Sequence, residues 1–254
     1  LGRVRTFTYT PHGELLTELM PDGGLSTYTY DIAGNVSSVT DPIAGVTTYE
    51  HDGFGQVTKV SSPGTGITTY QYDSSGRVTQ KTPASGGTVT YSYDALGRQS
   101  SRTVGFSTQS IIYDSCTNGK GRVCAVNDET GSTSYQYTPS GKVSLEIRQL
   151  PSGGSSSVAY QYDVQDRLVG IGAGGIGIGY GYAAGRIVSV TSSINGSTTV
   201  LAGNVRYQPF GPVQNYTYGN GLSREHTYDT SWRPKSLKVS LGSTVVQSKT
   251  VSYN

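Results

Sequence analysis

The chain alternates polar and aromatic residues over short runs, and each run stops at the same punctuation. Tyr70-Gln71-Tyr72 leads into Asp73-Ser74-Ser75-Gly76-Arg77-Val78, and the pattern returns as Tyr91-Ser92-Tyr93-Asp94-Ala95-Leu96-Gly97-Arg98. Earlier copies are Tyr28-Thr29-Tyr30-Asp31-Ile32-Ala33-Gly34-Asn35-Val36 and Tyr49-Glu50-His51-Asp52-Gly53-Phe54-Gly55-Gln56-Val57. The second aromatic falls at positions 9, 30, 51, 72 and 93, each 21 residues from the last. A fixed period of this size marks a repeat architecture.

Each copy has a physical reading. Two tyrosines at i and i+2 share one face of an extended strand, because side chains alternate across it. The Asp that follows accepts from backbone amides a few residues on, as Asp does in turns. The Gly three residues later supplies a positive φ that a Cβ would resist. A return strand then begins at Arg-Val or Asn-Val and ends in a second turn. Those second turns are rich in Pro and Gly: Asp41-Pro42-Ile43-Ala44-Gly45, Ser62-Pro63-Gly64-Thr65-Gly66 and Pro83-Ala84-Ser85-Gly86-Gly87. One repeat is thus two short strands and two turns, an antiparallel hairpin joined to the next. The expectation is an all-β chain, one continuous repeat domain over 1–254, forming a long antiparallel sheet. About two dozen strands at ~4.8 Å make a strip of roughly 115 Å, and open twisted sheets of that width curl.

Departures from the pattern carry information too. Thr10 and Thr138 stand in the Asp place, and Tyr160-Gln161-Tyr162-Asp163 with Arg167 resumes the motif after Pro151-Ser152-Gly153-Gly154, which reads as a turn and not as a linker. Gly172-Ala173-Gly174-Gly175-Ile176-Gly177 matches a dinucleotide-binding fingerprint by letters. That motif needs a helix next and an acidic residue about 20 positions on. Here Ile176-Gly177-Ile178-Gly179-Tyr180-Gly181-Tyr182 alternates instead, so a strand with a glycine face is expected, open to close approach by a backbone or an aromatic ring. Further on, aromatic pairs around Tyr207, Tyr218 and Tyr228 come at 10- to 11-residue intervals, a shortened period. In Tyr228-Asp229-Thr230-Ser231-Trp232-Arg233 the expected Gly is displaced and Trp232 precedes the Arg. A lone Trp is more often packing than a ligand platform, and Trp232 is the one candidate for the latter.

Composition narrows the classes. The mean hydropathy of −0.35 and 34% hydrophobic residues are low for a thick two-layer core. Twenty Tyr against one Met and one Trp place the apolar surface in aromatic ladders. A net charge of +2, from 19 basic and 17 acidic residues, gives no electrostatic case for nucleic acid. No apolar run approaches the roughly 20 residues of a membrane-spanning helix. Cys116 and Cys124 lie inside one enlarged turn, with Asp114 and Gly121 in their motif roles and four extra residues between them. A disulfide is favoured there; two free thiols or metal ligation stay open, although two cysteines without a nearby His are too few for structural zinc.

Catalytic chemistry finds no foothold. His12, His51 and His226 are scattered, and the latter two sit where Tyr usually stands. Asp31, Asp52, Asp73, Asp94, Asp114, Asp163 and Asp229 repeat one environment, whereas an acid–base pair needs two unlike environments side by side. The recurring Arg77, Arg98, Arg122, Arg167 and Arg186 can pair with those Asp or stack on neighbouring Tyr. No enzyme, cofactor or metal site is expected.

The Tyr-x-Tyr-Asp-x-x-Gly-Arg-Val pattern resembles the YD repeats of the Rhs family, which includes bacterial polymorphic toxins, wall-associated proteins, the B and C components of insecticidal toxin complexes, and animal teneurins. Val205-Arg206-Tyr207-Gln208-Pro209-Phe210-Gly211-Pro212-Val213 is also similar to a stretch common in bacterial members. The resemblance implies a sheet that spirals into a hollow shell enclosing a C-terminal toxin. It implies a bacterial, exported, secreted or cell-surface protein whose partner is the remainder of its own chain. The self-cleaving Asp-Pro-x-Gly-Leu motif of payload-bearing members has no match here. Leu1-Gly2-Arg3-Val4 and Val251-Ser252-Tyr253-Asn254 read as half-repeats, so a fragment of a longer array is expected, with head-to-tail association through its edges. The alternative is an adhesion module that holds glycans or a partner protein on exposed aromatics.

Overall fold

In the computed structural model, residues 4–209 and 211–253 are described. Leu1, Gly2, Arg3, Phe210 and Asn254, which carry part of the two half-repeats and of the 205–213 stretch, lie outside the described residues. Among the described residues there are 23 strands and no helix. The chain is all-β, built of tandem antiparallel hairpins.

Two compact units are present, Leu1–Ile111 and Ile112–Asn254. In the first, every strand from Thr6–Tyr9 to Ser107–Tyr113 pairs antiparallel with its neighbour in sequence. In the second, the same rule holds from Val123–Asp128 to Thr244–Thr250. Short connections and β-branched residues make this order the natural one: each new strand folds back onto the strand just made.

The two faces of the ladder differ. The strand Gly66–Tyr72 alternates half-buried and exposed residues along its whole length, with Tyr70 and Tyr72 on the half-buried face and Thr69 and Gln71 on the other. On the tyrosine face Tyr28 stands opposite Val39, Tyr49 opposite Val60, Tyr160 opposite Ile171 and Tyr180 opposite Val190. The opposite face is largely hydroxyl-bearing. Thr8 meets Thr17 at 2.6 Å, Thr29 meets Ser38 at 2.6 Å and Thr227 meets Ser236 at 2.6 Å. Such cross-strand pairs each contribute a few tenths of a kcal/mol to about 1. Val89 and Cys124 are the buried hydrophobic residues among those described, so cohesion rests on ladders, side-chain caps and the thin tyrosine face.

A register shift recurs beside the second aromatic of the repeat: at Thr29/Tyr30, Glu50/His51, Gln71/Tyr72, Gln136/Tyr137, Gln161/Tyr162, Gly181/Tyr182 and Thr227/Tyr228. In the Tyr72 hairpin, Gln71 faces Gln80 but Tyr72 faces Val78, leaving Thr79 as the extra residue. This is a β-bulge, and it locally interrupts the ladder.

Candidate functional site

The repeated turn is the chain's most elaborate side-chain constellation. At residues 73–77, Asp73 N donates to Arg77 O at 2.9 Å and Gly76 N donates to Asp73 O at 3.0 Å. The Asp73 carboxylate binds the same loop from inside: Oδ1 accepts from Ser75 N at 2.9 Å and Arg77 N at 3.0 Å, and Oδ2 accepts from Arg77 Nε at 2.7 Å. Gly76 has φ 79°, the left-handed conformation that closes the loop. The amide of Arg77, then its side chain, holds the Asp73 carboxyl below its ordinary 3.8 against the opposing pull of burial. The Arg167 side chain, followed by its amide, does the same for Asp163, and the Arg233 amide leads at Asp229.

The same geometry tolerates substitutes. Thr10 Oγ1 accepts from His12 N and Glu14 N at 3.3 and 3.2 Å, so Thr fills the Asp role with longer bonds and without charge. Thr138 accepts from Lys142 N at 3.1 Å. The proline- and glycine-rich second turns use the plan as well: Asp41 accepts from Ile43 N at 2.9 Å and Gly45 N at 2.8 Å.

Successive repeats are locked by a tyrosine cap. Tyr72 donates its hydroxyl proton to Val57 O at 2.7 Å, and Val57 is the residue beside the bulge of the preceding hairpin. Tyr30 does this to Leu15 O, Tyr93 to Val78 O, Tyr162 to Val143 O, Tyr182 to Leu168 O and Tyr228 to Val213 O, at 2.7 to 3.0 Å. In these repeats the second tyrosine therefore satisfies a carbonyl at the point where the previous ladder breaks. Burial raises the Tyr72 and Tyr162 phenols above 10.0 and keeps them protonated as donors.

The arginine reaches the other way, to the hairpin that follows. Arg77 Cζ lies 4.7 Å from the centre of the Tyr93 ring, Arg167 4.6 Å from Tyr182, Arg186 4.8 Å from Tyr207 and Arg233 4.4 Å from Tyr253. Arg77, Arg167 and Arg233 each bind the Asp of their own turn and stack on the tyrosine of the next. Arg98 pairs with Asp94 at 2.7 Å. The arm also explains a second use of glycine. A Cβ at Gly97 would lie 3.2 Å from Arg77 Nη1, and one at Gly141 would collide with the Arg122 guanidinium.

Three expectations are refined. The period does not shorten near the end of the chain: Tyr207 caps Ile187 O and Tyr228 caps Val213 O, 21 residues apart, while Tyr216 and Tyr218 lie on the intervening strand Val213–Tyr218. Trp232 does not displace the turn glycine but occupies its place, with φ 60° and its N donating to Asp229 O at 3.0 Å. Its ring lies over Gly211, where a Cβ would strike it, and 6.5 Å from the Tyr228 ring, leaving Trp232 51% exposed. The glycine face of 170–182 is met by backbone only at ordinary contact, Ile171 O lying 3.5 Å from where a Gly177 Cβ would stand, and its nearest neighbours are side-chain hydroxyls. The Oγ atoms of Ser193, Thr191 and Ser189 lie over Gly177, Gly179 and Gly181.

Cys116 and Cys124 are bonded to each other, and Cys124 is 3% exposed. Gly119 sits against both sulfurs, where a Cβ would not fit. In this enlarged turn Asp114 accepts from Gly121 N at 2.6 Å, so the aspartate bridges a longer loop.

One cluster gave no sequence signal. Tyr216 and Tyr218 hydroxyls lie 3.0 Å apart, Arg224 Nη1 donates to Tyr218 at 3.1 Å, and the Tyr216 and His226 rings stack at 6.4 Å. The bond from Tyr216, and then that from Arg224, pull the Tyr218 phenol below 10.0. Arg224 Nε is buried with no hydrogen-bond partner among the described residues. His226 is pushed down from 6.5 by burial. His51, in the capping column, has no hydroxyl to donate; its Nδ1 lies 3.8 Å from Asp31 Oδ2. Among the described residues no three His, Cys, Asp or Glu side chains group to hold a metal ion.

Such a ladder, in which each hairpin completes the turn and bulge of the one before, defines a tandem-repeat β wall. The RHS Repeat family model matches residues 30–67, 51–88 and 72–108, so that stretch of the chain is similar to RHS repeats. Among solved structures it is similar to TcdB2-TccC3 without its hypervariable C-terminal region, at 17% identity and a TM-score of 0.73, over 98% of this chain and 15% of that one. TcdB2-TccC3-TEV gives 18% identity, a TM-score of 0.72, and 98% and 15% coverage. A Photorhabdus luminescens Tc holotoxin pore carrying a TccC3 mutation gives 17%, 0.71, and 98% and 14%. At these identities the likeness is one of fold, and this chain spans about 15% of the length of such chains. No curated protein matches it by sequence.

Proposed function

We propose that this chain is a section of wall, a non-catalytic part of an Rhs-type shell that encloses and shields a toxin payload carried by the rest of its protein. The observation that carries the reading is the directional seam, in which tyrosine caps and arginine arms join hairpin to hairpin and make a barrier out of a sheet without a thick core. The fold likeness to TcdB2-TccC3 structures supports it. The disulfide fits an exported, extracellular or cell-surface protein, since such bonds persist in oxidising compartments. The partners that follow are further repeats and a C-terminal payload of the same polypeptide.

The test is limited proteolysis of the full-length protein. If the wall encloses a payload, the downstream segment survives protease while the seams are intact and is digested once Tyr→Phe changes at several caps have opened them. Equal digestion of the segment in both proteins would overturn the reading.

A further inference from the structure

The bond between Cys116 and Cys124 holds more than its own loop. Residues 114–122 form an enlarged version of the repeat turn, closed by the same rung, with Asp114 N donating to Arg122 O at 3.1 Å. Inside it, Gly119 N donates to Cys116 O at 2.9 Å and Arg122 N to Gly119 O at 2.8 Å. The loop then reaches out to the next hairpin. Tyr137 N donates to Thr117 O at 3.2 Å, and Asn118 Nδ2 donates to Tyr137 O at 2.8 Å, so the loop serves both main-chain groups of the capping tyrosine. The Tyr137 hydroxyl caps Val123 O, next to Cys124, and its ring centre lies 5.6 Å from Arg122 Cζ. Asp114 at φ 66° and Asn118 at φ 53° stand in the left-handed region that favours glycine. The cross-link thus keeps a strained loop folded against its neighbour.

The two sulfurs have unlike surroundings. Cys116 is half-buried, whereas Cys124 is 3% exposed. A thiolate arriving from solvent therefore meets Cys116 Sγ. Behind it, Cys116 N donates to Cys124 Sγ at 2.9 Å, which stabilises negative charge gathering on that sulfur. Lys120 and Arg122 outnumber Asp114 in the loop and act in the same sense. A sulfur that departs readily as thiolate speeds exchange, so attack at Cys116 with Cys124 leaving is the favoured direction.

We propose that the Cys116–Cys124 bond is a thiol-exchange site, opened at Cys116 by an external dithiol, and that the seam between its loop and the Tyr137 hairpin is redox-sensitive. In the first step a thiolate of the dithiol attacks Cys116 Sγ. A mixed disulfide forms, the Cys116–Cys124 bond breaks, and Cys124 leaves as thiolate and takes up a proton. In the second step the dithiol's other thiolate attacks its own partner sulfur in the mixed disulfide and displaces Cys116, which is protonated in turn. Two electrons and two protons have then passed to the protein, and the dithiol has become a disulfide. The freed loop relaxes at Asp114 and Asn118 and lets go of the Tyr137 main chain. The wall is sealed in oxidising surroundings and slackens at this seam where dithiols are abundant. The site rests on the loop's own geometry and stands whether or not the wall encloses a payload.

The experiment limits the reductant. The folded, oxidised protein is treated with a small amount of reduced glutathione, a monothiol that forms the mixed disulfide, while iodoacetamide captures the freed thiol; peptide mass spectrometry maps the products. Glutathione on Cys116 with the alkyl group on Cys124 is expected to exceed the reverse arrangement by about tenfold. In a second arm, hydrogen exchange is compared before and after reduction with dithiothreitol. Exchange is expected to rise about tenfold or more at the amides of Gly119, Arg122 and Tyr137 and to hold at those of Gly76 and Gly97. Glutathione mainly on Cys124, a bond that resists both thiols until the protein unfolds, unchanged exchange at Tyr137, or an equal rise at Gly76 would each overturn the proposal.

Discussion

Between Tyr28 and Arg98 the hairpins are close copies: an Asp inside each turn, a glycine closing it, and a long polar arm from the return strand. Between Gly170 and Arg233 the same hairpin is made from other parts. Asp166 at φ 61° and Trp232 at φ 60° sit where glycine belongs, and Ser and Thr hydroxyls fill the space above bare glycines. An extra residue near Asn204 turns a charged side chain to the other face. What both regions keep is the tyrosine cap on the preceding bulge and the arginine on the next ring. The cap is therefore the most widely kept element, missing at His51, and the turn residues are exchangeable where something else bears the strain.

The largest expected effect comes from the disulfide-bearing turn between the two regions. Reduction, or Cys116→Ser with Cys124→Ser, is expected to lower the stability of the second unit by about 2–3 kcal/mol, from the loop entropy released in the unfolded chain; urea unfolding of oxidised and reduced protein measures it. Next come the turn residues themselves. Gly76→Ala is expected to cost about 1–2 kcal/mol for a Cβ in the left-handed region, with Gln56 Nε2 also in its way. Trp232→Gly relieves that same strain and loses the contact with Tyr228, so its net change should be smaller than that of Trp232→Ala, which loses the ring and keeps the strain. If Gly76→Ala and Trp232→Gly cost equally, the two regions do not differ as described.

The cap gives a smaller and more pointed pair. Tyr72→Phe is expected to lose about 1 kcal/mol, the net worth of one part-buried hydrogen bond. His51→Tyr supplies the missing hydroxyl opposite Val36 and is expected to stabilise by up to about the same amount. Chemical denaturation of the two variants and of the parent decides it, and a neutral His51→Tyr would break the claim that the cap helps hold neighbouring hairpins together. The gentlest effect is that of pH. Asp73, Asp163 and Asp229 have folded-state values below 3.8. Their contribution is thus complete above that value and is lost as pH falls through the lower folded values. Thermal midpoints should hold level through neutral and mildly acid pH and drop below about 4; Asp73→Asn should start lower and drop less.

Much of this was legible in the residues. The alternation of Tyr70, Gln71 and Tyr72, the Asp, and the glycine three places on define a hairpin by local chemistry, and period 21 names its neighbours. Arg77 was readable as a partner of Asp73 or of a tyrosine; the sequence did not say that it serves both, because that requires knowing which hairpin lies alongside. The tyrosine hydroxyls were readable as polar ends, but their acceptors lie at a bulge, and a bulge leaves no mark in composition. Trp232 was misplaced by one role, since nothing in a sequence announces a tryptophan in the left-handed region. The register irregularity at Asn204 was invisible for the same reason as the bulges: one extra residue in a strand looks like any other residue. Arg224, with its buried and unpartnered Nε, lies outside the repeat and had no pattern to reveal it.

The cap and the arm point opposite ways along the chain, and this gives the array an arrow. A finished hairpin leaves a bare carbonyl at its bulge and a guanidinium without a ring, and both needs are met by the hairpin that comes later in sequence, never by an earlier one. A ribosome delivers them in that order. Each newly emerged tyrosine finds its acceptor already waiting, so the structure can lengthen like a zip drawn one way, with its only ragged tooth at the growing tip.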